Sequence, residues 1–148
     1  MRFYYFVPKG SIRSKIIIRN KMENKILIVD DEAHIRMLIE QTLEELEEED
    51  VSFFTAENGE EALQIIRDEN PQLVFLDVMM PKMNGMEVCR RVKKEAGLSN
   101  VFIVLLTAKG QELDRQKGLE VGADLYMTKP FDPEVILNKA REVLNLPG

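Results

Sequence analysis

Asp77 closes the apolar run Leu73-Val74-Phe75-Leu76 and is followed by Val78-Met79-Met80-Pro81. A carboxylate at the end of a buried strand is costly unless something engages it. Asp30 and Asp31 end another apolar run, Ile26-Leu27-Ile28-Val29, while Thr107 and Lys129 close two further apolar segments. If these ends meet, the chain has an acidic pocket with one cation and one hydroxyl. Carboxylates crowded together repel and tend to take up protons. A hard divalent cation relieves that repulsion better, and Mg²⁺ suits one or two carboxylates plus phosphate oxygens. The pocket is therefore expected to hold Mg²⁺ and admit a phosphoryl group. Asp77 can then act as a nucleophile that forms an aspartyl phosphate. The metal and Lys129 offset charge on the group in transfer, and the Thr107 hydroxyl can hydrogen-bond a phosphoryl oxygen.

Alternating elements must place these residues together. Ile26–Asp30, Val51–Ala56, Leu73–Asp77, Val101–Thr107 and Asp124–Thr128 read as short strands, several of them apolar throughout, as in a sheet buried on both faces. Helical stripes fall between them: Ile35, Leu38, Ile39, Leu43 and Leu46; Ala62, Leu63, Ile65 and Ile66; Met86, Val88, Cys89 and Val92; and a weaker helix over Gln111–Glu120. The acidic run Glu44–Asp50 is expected to end the first helix, because anions there oppose the helix dipole. Asn58-Gly59 opens the second helix. Asp132 caps the last, with Pro133 in its first turn and Val135, Ile136, Ala140, Val143 and Leu144 along it. Strict alternation implies an α/β fold with a parallel sheet covered on both faces. The expected form is a doubly wound five-stranded parallel sheet of order 2-1-3-4-5, a flavodoxin-like (βα)5 fold. Ligands of such sheets bind beyond the carboxyl ends of the strands, at the switch point between strands 1 and 3. Asp30, Asp31, Asp77 and Thr107 all fall at those ends.

Composition narrows the class. The chain has 148 residues, 45% hydrophobic and 31% charged, which suits one soluble globular domain. Cys89 is the only cysteine, which excludes an internal disulfide and a cysteine zinc site and is compatible with a cytoplasmic protein. No apolar run approaches the roughly 18 residues of a membrane span. Charge is unevenly spread. Residues 1–21 carry six basic residues and no acidic one, leaving 14 basic against 26 acidic in 22–148, a formal −12. So acidic a body disfavours direct nucleic-acid binding. Two regions follow: a basic extension over 1–22, expected to be disordered, and a domain over 23–148. The extension lacks the apolar core and cleavage site of a signal peptide. A tail translated from upstream of a start at Met22 is the plain reading. A membrane-surface contact and a partner-binding strand are the sharper ones.

Four motifs in order carry a resemblance: Asp30-Asp31; Asp77 followed by Met80-Pro81 and Asn84-Gly85; Thr107-Ala108; and Lys129-Pro130-Phe131. The intervals between Asp30, Asp77, Thr107 and Lys129 are 47, 30 and 22 residues. Over about residues 25–146 the chain resembles a response-regulator receiver domain of two-component signalling, close to the stand-alone chemotaxis type. The resemblance implies a phosphorelay phosphoprotein in which Asp77 accepts phosphate from a sensor histidine kinase or phosphotransfer protein. It implies that Asp31, Asp77 and the Met79 backbone carbonyl ligate Mg²⁺, with Asp30 acting mainly through a metal-bound water. Lys129 would pair with the phosphoryl group, and the Lys129-Pro130 bond would be cis. Thr107 and Tyr126 would form the switch. The face built by the fourth helix, fifth strand and fifth helix would carry the signal to a downstream protein or form a homodimer. Met79 and Lys109 would flank the path of the hydrolytic water. Because the sequence stops soon after the last helix, output through a partner or dimer is expected, and a relay intermediate would use the same residues.

Each residue has a plainer reading. Asp30-Asp31 and Asp77 suit caps and turns, Thr107 can simply finish a strand, Lys129 can be solvated, and Tyr126 can be sheet packing. His34 is expected to be an exposed helix residue and Cys89 an inert one. Two other functional classes are weaker. A phosphohydrolase would want an acid where Met79 stands, and a flavin-phosphate site would be repelled by Asp30-Asp31-Glu32.

Overall fold

The computed structural model describes residues 23–108 and 113–148. The elements run β1 (Asn24–Val29), α1 (Ala33–Thr42), a 3-10 turn (Glu44–Glu49), β2 (Val51–Ala56), α2 (Gly59–Glu69), β3 (Leu73–Asp77), α3 (Gly85–Lys94), β4 (Phe102–Ala108), α4 (Leu113–Glu120), β5 (Leu125–Lys129) and α5 (Pro133–Val143). The strands form one parallel sheet of order β2-β1-β3-β4-β5, the predicted doubly wound α/β topology. The predicted extension over 1–22, together with Lys109 and the first two residues of the predicted fourth helix, Gln111 and Glu112, lies outside the described residues.

Alternation along the strands builds two cores. Leu27, Val29, Val74, Leu76, Ile103 and Leu105 point to the side that packs on α2 and α3. Ile26, Ile28, Phe75, Val104 and Leu106 point to the side covered by α1 and α5. Every residue of β3 is buried, so the sheet centre has no wet face and its ends are the only place for polar groups.

Local chemistry sets most helix ends as predicted. The Asn58, Asn84 and Asp132 side chains accept hydrogen bonds from the backbone N–H groups of Glu61, Glu87 and Glu134, which satisfies donors at the first turns of α2, α3 and α5. Pro133 sits in the first turn of α5, where its missing N–H costs nothing. The acidic run does end α1, but it forms a 3-10 turn of its own and closes at Asp50 in the left-handed region (φ 63°). Arg141 of α5 explains how the run is tolerated: it reaches Glu45 at 2.5 Å and Glu49 at 2.8 Å.

Two predicted core positions are wrong. Leu38 of α1 is 43% exposed and Val135 of α5 is 48% exposed. Ile39, Leu43 and Leu46 already fill the α1 side of that core, and Ile136 and Ala140 fill the α5 side. His34 is exposed and Cys89 buried, as expected.

Candidate functional site

β1 and β3 are hydrogen-bonded neighbours, so the residues that end them, Asp30 and Asp77, meet at one edge of the sheet. Pairing of β4 with β5 sets Ala108 beside Lys129. Strand parity then aims Lys129 back across the strand ends. Its Nζ lies 2.7 Å from Asp30 Oδ2 and 3.2 Å from Asp77 Oδ1. Asp30 is fully buried, Asp77 is 6% exposed, and Thr107 is 1% exposed. Asp31 stands at the solvent side. One carboxylate oxygen from each of Asp30, Asp31 and Asp77 lies within 4.8 Å of the others.

Asp30 combines two duties. Its Oδ1 accepts from the Glu32 N–H at 2.9 Å, shaping the turn into α1, while its Oδ2 accepts from Lys129. Both oxygens are thus engaged inside the protein, which leaves Asp31 and Asp77 as the more accessible carboxylates. The Arg36 guanidinium donates to the Asp30 carbonyl at 2.7 Å and holds the turn from the other side.

Electrostatics at Asp77 are those of a strained carboxylate. Burial, reinforced by the Asp30 charge, pushes Asp77 up from 3.8 to about 6, against the pull of Lys129. Burial tends to lower Lys129, but the hydrogen bond to Asp30 and the charge of Asp77 outweigh it and raise Lys129 above its ordinary value. Three carboxylates and one ammonium sum to a formal −2. A hard divalent cation supplies the missing charge and takes oxygen donors of this kind, so the residues present fit Mg²⁺.

The loop after Asp77 is held by close backbone contact. The Gly85 N–H donates to the Val78 carbonyl at 2.8 Å, and a Cβ on Gly85 would lie 2.2 Å from the Asp77 carbonyl oxygen. A Cβ on Gly59, at the start of α2, would lie 1.9 Å from the Met83 carbonyl oxygen. Both values forbid a side chain. Sequence reasoning took Asn58-Gly59 only as a helix start and missed its part in holding this loop. The Asn-Gly pair was the one available signal. Met80, Met83 and Met86 pack against the core beside the loop, whereas Met79 is 59% exposed.

Thr107 and Tyr126 share a face of the sheet. Thr107 pairs with Thr128 and Leu105 with Tyr126, so parity sets both side chains on the α3 side, opposite Leu106. Tyr126 is buried in that core, where a Cβ on Gly118 of α4 would come within 3.2 Å of its ring. The predicted Lys129-Pro130 cis bond is present. Structure thus brings together Asp30, Asp31, Asp77 and Lys129, places Thr107 one step beyond the partner of Asp77 on β4, and sets Tyr126 on the neighbouring strand.

Residues 26–141 match the response regulator receiver domain family. The chain is 52% identical over 126 residues to the probable transcriptional regulator ycf27 of Porphyra purpurea, covering 83% of this chain and 49% of that protein. It is 43% identical over 123 residues to the alkaline phosphatase synthesis transcriptional regulatory protein PhoP of Bacillus subtilis, with the same two coverages. The chain spans about half the length of these curated relatives. Among solved structures, the BeF3-activated DrrB receiver domain superposes with a TM-score of 0.73 at 35% identity, over 84% of this chain and 99% of that one. Among the described residues no helix is long and apolar enough to cross a membrane. The chain belongs to the response regulator receiver domain family.

Proposed function

We propose that Asp77 is the phosphoacceptor of a two-component signalling protein. The observation that carries this reading is the position of its buried carboxylate, 3.2 Å from the Lys129 ammonium and clustered with Asp30 and Asp31 at the switch point of a doubly wound sheet. The donor is a phosphohistidine on a sensor histidine kinase or phosphotransfer protein. An Asp77 oxygen attacks phosphorus, the P–N bond breaks, and its electron pair returns to the imidazole, which takes a proton from water. Asp31, Asp77 and the Met79 carbonyl would hold Mg²⁺, and Asp30 would act on it through water. When bound, the cation offsets charge on the phosphoryl oxygens. Lys129 releases its contact with Asp77 to pair with the incoming group.

The Thr107 hydroxyl then turns to a phosphoryl oxygen, and Tyr126 fills the space behind it. Its burial beside α4 couples the site to the face formed by α4, β5 and α5, where a downstream protein or a second copy docks. The domain stores phosphate rather than turning it over, because the Met79 side chain has no group to orient or deprotonate a water attacking the phosphoryl group. Direct nucleic-acid and membrane contact have no part in this reading, and a cytoplasmic site of action suits it. Incubation with Mg²⁺ and acetyl phosphate tests the proposal. One hydroxylamine-labile phosphate should appear on the wild type and none on Asp77→Asn; equal labelling of both proteins would sink the assignment.

A further inference from the structure

Asp31 is the exposed member of the carboxylate cluster, yet both peptide groups that flank it are held by neighbouring residues. On its C-terminal side, the Glu32 N–H donates to Asp30 Oδ1 at 2.9 Å. On its N-terminal side, the Asp30 carbonyl accepts from Arg36 Nη1 at 2.7 Å. The Asp30 N–H donates to the Ala56 carbonyl at 3.2 Å and ties the same residue to β2. Because a peptide unit is planar, fixing the Asp30 carbonyl also fixes the Asp31 N–H that shares its plane. Arg36 is itself well placed. It lies in the first turn of α1, its N–H donates to the Glu32 carbonyl at 3.2 Å, and Glu57 stands 3.9 Å from its Nη2. The Arg36 side chain is only 16% exposed, so its guanidinium is largely withdrawn from water, where a charge-assisted bond to a carbonyl is strong.

We propose that Arg36 is a positioning residue for the metal: by locking the Asp30–Asp31 peptide it sets the Asp31 carboxylate in place before Mg²⁺ arrives. The proposal rests on the reading of Asp31 as a metal ligand. Two effects of opposite sign compete at Arg36. Coulomb repulsion between the guanidinium and the metal weakens binding, and salt screens it. Order strengthens binding, because a ligand already held need not be immobilised, and groups that orient metal ligands are worth about 10–100-fold in affinity. Glu57 offsets part of the Arg36 charge, and Nη1 is engaged with a carbonyl rather than a carboxylate, so order prevails. Cation size adds a signature. Mg²⁺ demands near-ideal octahedral geometry, whereas Ca²⁺ accepts a flexible shell, so a loosened turn harms Mg²⁺ more.

Titration of the metal-free full chain with Mg²⁺ or with Ca²⁺, followed by amide chemical shifts, tests it. Arg36→Met keeps the apolar stem and removes the donor. It should weaken Mg²⁺ about tenfold and Ca²⁺ less, and the loss should persist in about 0.5 M salt, where charge effects are screened. Arg36→Gln, shorter and neutral, carries the same expectation if Arg36→Met does not unfold cooperatively in chelator. Mg²⁺ bound by the variant as tightly as by the wild type would overturn the proposal. Tighter binding would do so too, leaving Arg36 a repelling charge and no more. An equal loss for both cations also counts against it, as a general loosening of the fold. Failure of the wild type to bind Mg²⁺ would instead remove the metal reading of Asp31, and this proposal with it.

Discussion

Asp77→Asn should make the metal-free protein more stable at neutral pH. The wild-type carboxyl holds its proton to about 6 in the fold against 3.8 ordinarily. A group whose folded value is raised favours the fold below its unfolded value. Its cost builds as pH rises between the two values and is complete above the folded one. A rise of this size corresponds to at most about 3 kcal/mol. The side chain is 8% exposed, and water at the pocket mouth screens the charge, so about 1–2 kcal/mol is the expected gain. Asparagine is nearly isosteric and neutral, and Lys129 keeps its 2.7 Å contact with Asp30, so no buried ammonium is orphaned. For a domain of this size the gain amounts to a rise in melting temperature of roughly 4–8 °C. Thermal unfolding of both proteins in chelator, from about pH 4 to pH 8, reads it out: the two should differ little near pH 4 and separate through pH 6. Mg²⁺ should then narrow the gap by stabilising the wild type more. A gap that is absent at pH 8, or the same at every pH, would refute the account of Asp77 as a carboxylate strained by burial.

Three further outcomes follow from the geometry. Met79→Asn should shorten the lifetime of the Asp77 phosphate, because an amide at this exposed position can orient water and a thioether cannot; an unchanged or longer lifetime after removal of the donor counts against it. Gly85→Ala should destabilise the domain and slow acetyl-phosphate labelling, since its Cβ would sit 2.2 Å from the Asp77 carbonyl; wild-type labelling would show that the loop gives way cheaply. Cys89 is buried and its thiol is pushed up to about 11 by that burial, so a thiol reagent at pH 8 should modify it only in denaturant; rapid labelling of the native protein contradicts this placement.

Strand positions, helix caps and the identity of the acidic residues were legible in the chain because each rests on short-range rules. Alternation and apolar runs marked β2 and β3 to the residue. Asn58 and Asp132 were read as helix starts and cap their helices through bonds spanning two or three residues, whereas the like cap of α3 by Asn84 was not read. Even the end of α1 could be placed, although the contacts of Glu45 and Glu49 with Arg141, almost a hundred residues away, could not be read locally. Leu38 and Val135 were misread for a related reason. Periodicity states which face of a helix is apolar, but the neighbouring elements decide how much of that face is covered.

Sequence alone determined that carboxylates end the strands beside the switch point, for burying a charge there is costly without a use. Only the tertiary structure decided how those charges are shared. Lys129 reaches Asp30 across 99 residues and Asp77 across 52, and Asp30 spends its other oxygen on the turn at Glu32. The room for the loop after Asp77 depends likewise on Gly59 lying against Met83. Such contacts are set by pairing and packing between distant segments, and no local pattern of residues encodes them.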